Sequence, residues 1–168
     1  MKRPDFVNEP FLNFSDPNEQ QKVQKALAEV EKQFGREYDL VIGGKHVKAP
    51  DQFASHNPSN PEEVLGLFQL GTPDLGVKAI ETAAKAFETW QYTPAEKRAE
   101  LVFKVSDALK ERRALLSAWL VLEVGKSWVE ADADIAEPVG PQPIVVRTRF
   151  GGERAVSARG DHINIALE

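Results

Sequence analysis

Residues 112–124 contain the string ALLSAWLVLEV, which is apolar nearly all the way round a helix. A helix of that kind expects cover on most of its faces. Gly125 follows it and supplies the left-handed backbone that helix C-termini favour. A chain holding this segment must wrap it, so the flanking sequence is read first for elements able to do so.

Residues 1–16 carry Pro4 and Pro10 and no helical period, which predicts an extended arm. A helix then starts with Asp16 as N-cap, Pro17 in the first turn and Glu19 at capping-box spacing. Val23, Leu27, Val30 and Phe34 recur along it at helical intervals until Gly35 stops the run. Leu40, Val41 and Ile42 run into Gly43-Gly44 and out through Lys45, His46 and Val47, the pattern of a β-hairpin whose turn needs positive φ. Residues 55–63, SHNPSNPEE, read as punctuation around Pro58 and Pro61, and residues 64–70 as a strand.

Three further helical blocks surround the apolar run. Thr72-Pro73 opens one whose stripe is Val77, Ile80, Ala84 and Phe87, with Trp90 nearby. Thr93-Pro94 with Glu96 opens the next through a capping-box spacing, predicting burial of Leu101, Val105, Ala108 and Leu109. Beyond Gly125, Ser127 and Glu130 cap a last helix start, WVEADADIAE, which meets Pro138 after about two turns.

Composition changes at that proline. Residues 1–137 hold 12 Lys and 5 Arg against 23 acids, whereas residues 138–168 hold no Lys, 4 Arg and 3 acids. The tail also has Pro138, Pro141 and Pro143 close together and one short β-like run, Ile144-Val145-Val146. Two readings stay open for it: a weakly structured end, or a hairpin-bearing extension turning at Gly151-Gly152.

The whole chain, 168 residues with a net charge of −5, is enough for one domain and ordinary for a globular protein. A mildly acidic balance is poor at neutralising phosphates, so no nucleic-acid partner is expected. No run approaches about 18 apolar residues and the first residues lack an apolar signal core, so neither a membrane span nor export is expected, and the location expected is cytoplasmic. There is no cysteine. That removes disulfides, zinc–thiolate sites and thiol catalysis from this chain at once.

Few residues suggest chemistry. His46, His56 and His162 are scattered and none stands at metal-ligand spacing, so surface histidine is the reading. Glu130, Asp132, Asp134 and Glu137 form an acidic run without a calcium-loop glycine, better read as a solvated helix N-terminus favoured by the dipole. Gly43-Gly44 and Gly151-Gly152 are turn glycines, since no dinucleotide or Walker pattern occurs. Asn13-Phe14-Ser15 fits a glycosylation sequon expected to stay unused, and Arg159-Gly160-Asp161 is a chance match to an adhesion tripeptide. Trp90, Trp119 and Trp128 lie at apolar helix faces, which favours packing over ligand stacking. No residue is assigned a catalytic, cofactor-binding or metal role.

Several strings nevertheless resemble the N-terminal region of the aldehyde dehydrogenase superfamily: VIGGKHV, HNPSNPEEVLG, AIETAAKAFETW, and TPAEKRAELVFKVSDALKERRALLSAWLVLEVGKSW. The arm FVNEPFLNFSDP and the string VGKSWVEADADIAE narrow the resemblance to the branch that oxidises L-glutamate γ-semialdehyde to glutamate with NAD⁺ in proline breakdown. The resemblance implies an α/β family fold of which this chain holds a truncated part, mostly α-helical, with a β-hairpin and one or two further strands. It implies an extended arm over 1–16, the N-terminal part of an NAD-binding domain over 17–137, and a divergent tail over 138–168.

The same resemblance implies that a cysteine thiolate attacks the aldehyde, hydride passes to the nicotinamide, and a glutamate-assisted water releases the acid. This chain lacks the cysteine, the glycine motif at the nicotinamide cofactor and most of the dinucleotide-binding sheet. The expectation is an oxidoreductase fragment inactive alone, binding no cofactor itself, with the rest of the dehydrogenase as a possible partner. The alternatives are one half of a split enzyme or a stand-alone helical interaction module. If it is a fragment, the helix at 112–124 is expected to expose apolar surface that the missing sheet would cover.

Overall fold

In the computed structural model the described residues are 9–139 together with three short strands at 144–147, 153–156 and 162–165. Helix α1 (Pro17–Glu31) begins where the arm ends. Asp16 caps it by accepting from the Asn18 amide at 2.9 Å, and Pro17 occupies the first turn. The capping box is only half made, because the Asp16 amide donates to the Asn13 carbonyl rather than to Glu19.

The first strands form two small sheets. The hairpin β2 (Leu40–Ile42) and β3 (Lys45–Val47) turns through Gly43 and Gly44 at φ 60° and 73°, values that any other residue adopts only with strain. The other sheet has the order β1 (Arg36–Tyr38), β5 (Asn60–Leu70), β4 (Asp51–Asn57), with β1 parallel and β4 antiparallel to the long central strand. Residues 55–63, whose prolines suggest a break, instead carry the β4–β5 turn. Pro58 and Ser59 make the turn, and the Asn57 side chain accepts from the Ser59 amide at 2.9 Å. Tyr38, Phe68 and Phe53 align across the three strands and stack ring on ring, at 4.9 and 5.7 Å between centroids.

Helices α2 (Pro73–Trp90), α3 (Ala95–Glu111), α4 (Arg113–Val124) and α5 (Trp128–Val139) follow. The core gathers on α4, as its composition requires. Ala26 and Val30 of α1 pack on Ala118, with Leu27, Phe34, Leu115, Trp119 and Leu122 around them. Helix α5 packs along another side of α4, and β4 approaches a third. Gly125 ends α4 at φ 72°, and a side chain there would meet the ring of Pro58 from the β4–β5 turn. Thus elements of this chain cover α4 in part: Ser117 and Ala118 are buried, Leu116, Leu120 and Val121 stay half-buried, and Val124 is exposed, so some of the expected apolar surface is present.

More of it lies on α2 and α3. Helix α2 rests on the β2–β3 hairpin through a half-buried row, Thr72, Leu75, Ala79 and Thr82, with Thr82 against Gly43. The stripe Val77, Ile80, Ala84 and Phe87 points away from that contact and is exposed, Ile80 by 71 %. On α3 only Ala99 is buried, while Leu101, Val105 and Ala108 are exposed and Leu109 is half-buried. Burial of these residues is therefore corrected by the structure.

The two Thr-Pro starts also differ. Thr72 caps α2, accepting from the Leu75 amide at 3.3 Å with Pro73 at the first helical position. In α3 the proline itself, Pro94, takes the N-cap place, which moves Thr93 one residue out and leaves the helix with no side-chain cap. Helix α5 continues one residue beyond Pro138 instead of stopping before it, so the proline removes a backbone bond only in the final turn. In the tail, β6 (Ile144–Arg147), β7 (Glu153–Val156) and β8 (His162–Ile165) pair in antiparallel order. The turn read at Gly151-Gly152 falls outside the described residues.

Candidate functional site

The most concentrated polar arrangement among the described residues joins α4, α5 and the arm. Arg113, at the start of α4, is buried, and Asp132 on α5 is 1 % exposed. The guanidinium donates twice to the carboxylate, from Nε to Oδ1 at 2.6 Å and from Nη2 to Oδ2 at 2.8 Å. This is the parallel two-bond pairing that suits arginine to carboxylates. The arm completes the cluster. Asp132 Oδ2 accepts from the Leu12 amide at 2.8 Å, Nη2 donates to the Pro10 carbonyl at 3.0 Å, and Nη1 reaches Glu9 at 3.4 Å. Lys110 donates to the other Glu9 oxygen at 2.7 Å.

Burying two charges is costly unless every donor and acceptor is met, and here the arm supplies the missing partners. Removing one member of such a pair strands the other charge, at a cost of about 3–5 kcal/mol. The solvated reading of the acidic run is thereby corrected for Asp132, which is the acid turned inward. Its neighbours do face solvent. Glu130 closes a full capping box: the Ser127 hydroxyl donates to it at 2.8 Å and the Ser127 amide at 3.0 Å, while the Glu130 amide donates back to Ser127 Oγ at 3.3 Å. The hydroxyl bond first, then the amide bond, hold the Glu130 carboxyl below its usual range. Asp134 pairs with Lys126.

The other candidates are dispersed. His46 is exposed on β3, 3.7 Å from Asp39, and His56 on β4 bonds through Nδ1 to the Pro61 carbonyl at 2.7 Å. His162 begins β8, far along the chain from both. No group of three metal-ligating side chains occurs among the described residues. Asn13 accepts from the Ser15 amide in a local turn at the end of the arm. The tripeptide Arg159-Gly160-Asp161 is outside the described residues. Of the tryptophans, Trp119 packs at the core and Trp128 meets Phe14 edge-on at 6.0 Å, whereas Trp90 is 43 % exposed, against the packing role read for it.

No G-x-G-x-x-G run occurs in the chain. Among the described residues the positive-φ glycines are Gly35, Gly43, Gly44 and Gly125, at a helix exit, a hairpin and a helix end. At the one passage from the long strand β5 into a helix, the amide of Leu75 is already held by Thr72. The arrangement binds its own arm, and no cysteine stands in it.

The aldehyde dehydrogenase family model matches residues 46–141, and the chain belongs to that family. Its described relatives point to one branch. It is 42 % identical over 134 residues to 1-pyrroline-5-carboxylate dehydrogenase 2 of Bacillus subtilis, covering 80 % of this chain and 26 % of that one. The corresponding enzyme of Geobacillus thermodenitrificans matches to the same extent. Among solved structures, a variant of Thermus thermophilus 1-pyrroline-5-carboxylate dehydrogenase aligns with a TM-score of 0.78 at 41 % identity, over 82 % of this chain and 27 % of that one. The chain therefore spans about a quarter of the length of the curated relatives it matches. A Thermus 1-pyrroline-5-carboxylate dehydrogenase solved with bound NAD aligns with a TM-score of 0.79 at 36 % identity, over 92 % of this chain and 33 % of that one.

Sequence alone missed the Arg113–Asp132 pair. Arg113 falls in the run read as one apolar helix from residue 112, with no partner assigned, and Asp132 reads as one acid among four. The available signal was spacing: Asp132 lies one turn before Ala136 on the side of α5 that is buried, not on the outer side with Glu130 and Asp134.

Proposed function

We propose that this chain furnishes the N-terminal part of a 1-pyrroline-5-carboxylate dehydrogenase, the NAD⁺-dependent oxidation of L-glutamate γ-semialdehyde to glutamate in proline breakdown, and performs no oxidation by itself. The observation that carries the reading is the 42 % identity over 134 residues to a Bacillus subtilis enzyme of that name, combined with a sequence that contains no cysteine. The thiolate chemistry of the family then has to come from another segment, as does the nicotinamide site. The arm, α1, α4 and α5 act as scaffold. We assign the work to the cytoplasm, where a cysteine-free, mildly acidic protein is at home that has, among its described residues, no helix long and apolar enough to cross a membrane.

One observation favours association with the rest of such a dehydrogenase as a separate polypeptide: the exposed apolar stripe of α2 is a face without cover among the described residues. The test is NADH formation from L-glutamate γ-semialdehyde and NAD⁺. The purified chain is expected to give none, and NADH formed by the chain alone overturns the proposal. Mixing it with a separately produced remainder of the Bacillus subtilis enzyme, which carries its own cysteine, distinguishes the roles. Restored NADH formation supports a working half-enzyme, and none leaves a scaffold piece without a partner.

A further inference from the structure

The Arg113–Asp132 pair has more hydrogen-bonding capacity than its two side chains use on each other, and one short segment takes up the surplus. Asp132 Oδ2, already bonded to Nη2, also accepts from the Leu12 amide at 2.8 Å. Nη2 also donates to the Pro10 carbonyl at 3.0 Å, and Nη1 reaches the Glu9 carboxylate at 3.4 Å. Two of these three contacts are to backbone, so they read an extended main chain whatever its side chains. The third reads charge, helped by Lys110 at 2.7 Å from the same carboxylate. Proline suits the position between them. It has no amide to leave unpaired, and it biases the preceding Glu9 toward extended backbone. Beyond Leu12 the segment turns at Asn13 and is closed by the edge of Phe14 against Trp128.

We propose that α4 and α5 carry a docking site for an extended peptide, floored by Arg113 and Asp132, and that residues 9–12 are its occupant in this chain. The site recognises a carboxylate, a free carbonyl one residue later and a free amide two residues after that. It joins the two strings, FVNEPFLNFSDP and VEADADIAE, that lie 120 residues apart at the Leu12–Asp132 bond. Undocking leaves the two direct bonds between Arg113 and Asp132 in place, so the arm releases as a unit while α4 and α5 stay packed. The device is a latch. It stands on the geometry of these helices alone and is independent of the reaction proposed above.

The test is residue-resolved amide exchange of the full chain. The Leu12 amide is expected to be protected, and Asp132→Asn to speed its exchange by about tenfold or more, the loss expected for a bond to a charged acceptor. Amides of α1, such as Val30, are expected to keep their protection. Because Asp132→Asn removes a buried charge and can disturb the packing of α5, Glu9→Gln provides a second readout from the arm side. It is expected to speed exchange at Leu12 several-fold with α4 and α5 unchanged. The proposal fails if the Leu12 amide exchanges freely in the unaltered chain, if Glu9→Gln leaves it unmoved, or if Leu12 and Val30 are always released together.

Discussion

Helices α4 and α2 both carry apolar stripes, yet α4 packs on α1, α5 and β4 while the main contact of α2 among the described residues is the small β2–β3 hairpin. The comparison separates two things that a stripe records. It marks a face suited to burial. It does not say that the covering surface belongs to the same polypeptide. Around α4 the cover is local or delivered by the arm and fastened by ion pairs; around α2 the face beside Ile80 and Phe87 stays open. The chain is thus a closed unit with an open flank.

Substitutions on the two sides should therefore differ sharply. The largest expected effect is at the buried pair, where Arg113→Ala strands Asp132 and should lower stability by about 3–5 kcal/mol in urea titration. Leu65→Ala, at a side chain 1 % exposed on β5, should cost about 3 kcal/mol by the same measurement. The equivalent truncation on the open flank, Ile80→Ala, should stay within about 0.5 kcal/mol, and a cost near that of Leu65→Ala would erase the distinction. Ser127→Ala removes the hydroxyl that caps α5 and should cost about 1 kcal/mol, read from thermal unfolding.

The smallest effect is in pH dependence. Glu130 is held below its usual carboxylate range by Ser127, so its contribution is present above the ordinary carboxylate pKa. That contribution is lost as pH falls through the lowered value in the folded chain. Acid titration of helicity should show that slope in the unaltered chain and a flatter one in Ser127→Ala. Identical curves would argue against the capping box.

Much of the closed unit was legible because its signals are local. The Asp16-Pro17 start, the Gly43-Gly44 hairpin, the Gly125 stop and the Ser127–Glu130 box each need only a few adjacent residues to be recognised. What escaped depends on distant partners. Strand β4 exists because β5 pairs with it across its full length, an outcome that Pro58 and Pro61 obscure. Thr93 fails as a cap because the helix chooses Pro94 as its boundary. Asp132 looks like its acidic neighbours until Arg113, 19 residues away, and the arm, 120 away, arrive beside it. The resemblance to aldehyde dehydrogenases was legible in strings of residues, and the family match over 46–141 agrees with it.

Hydrogen exchange along the whole chain tests the division between closed unit and open flank most directly, with α4 and α2 as its two ends. The account predicts that the amides around Ala118 exchange only with global unfolding, while those around Ile80 exchange orders of magnitude faster through local opening. Equal protection of the two helices would mean that α2 is held as firmly as α4, and would contradict it.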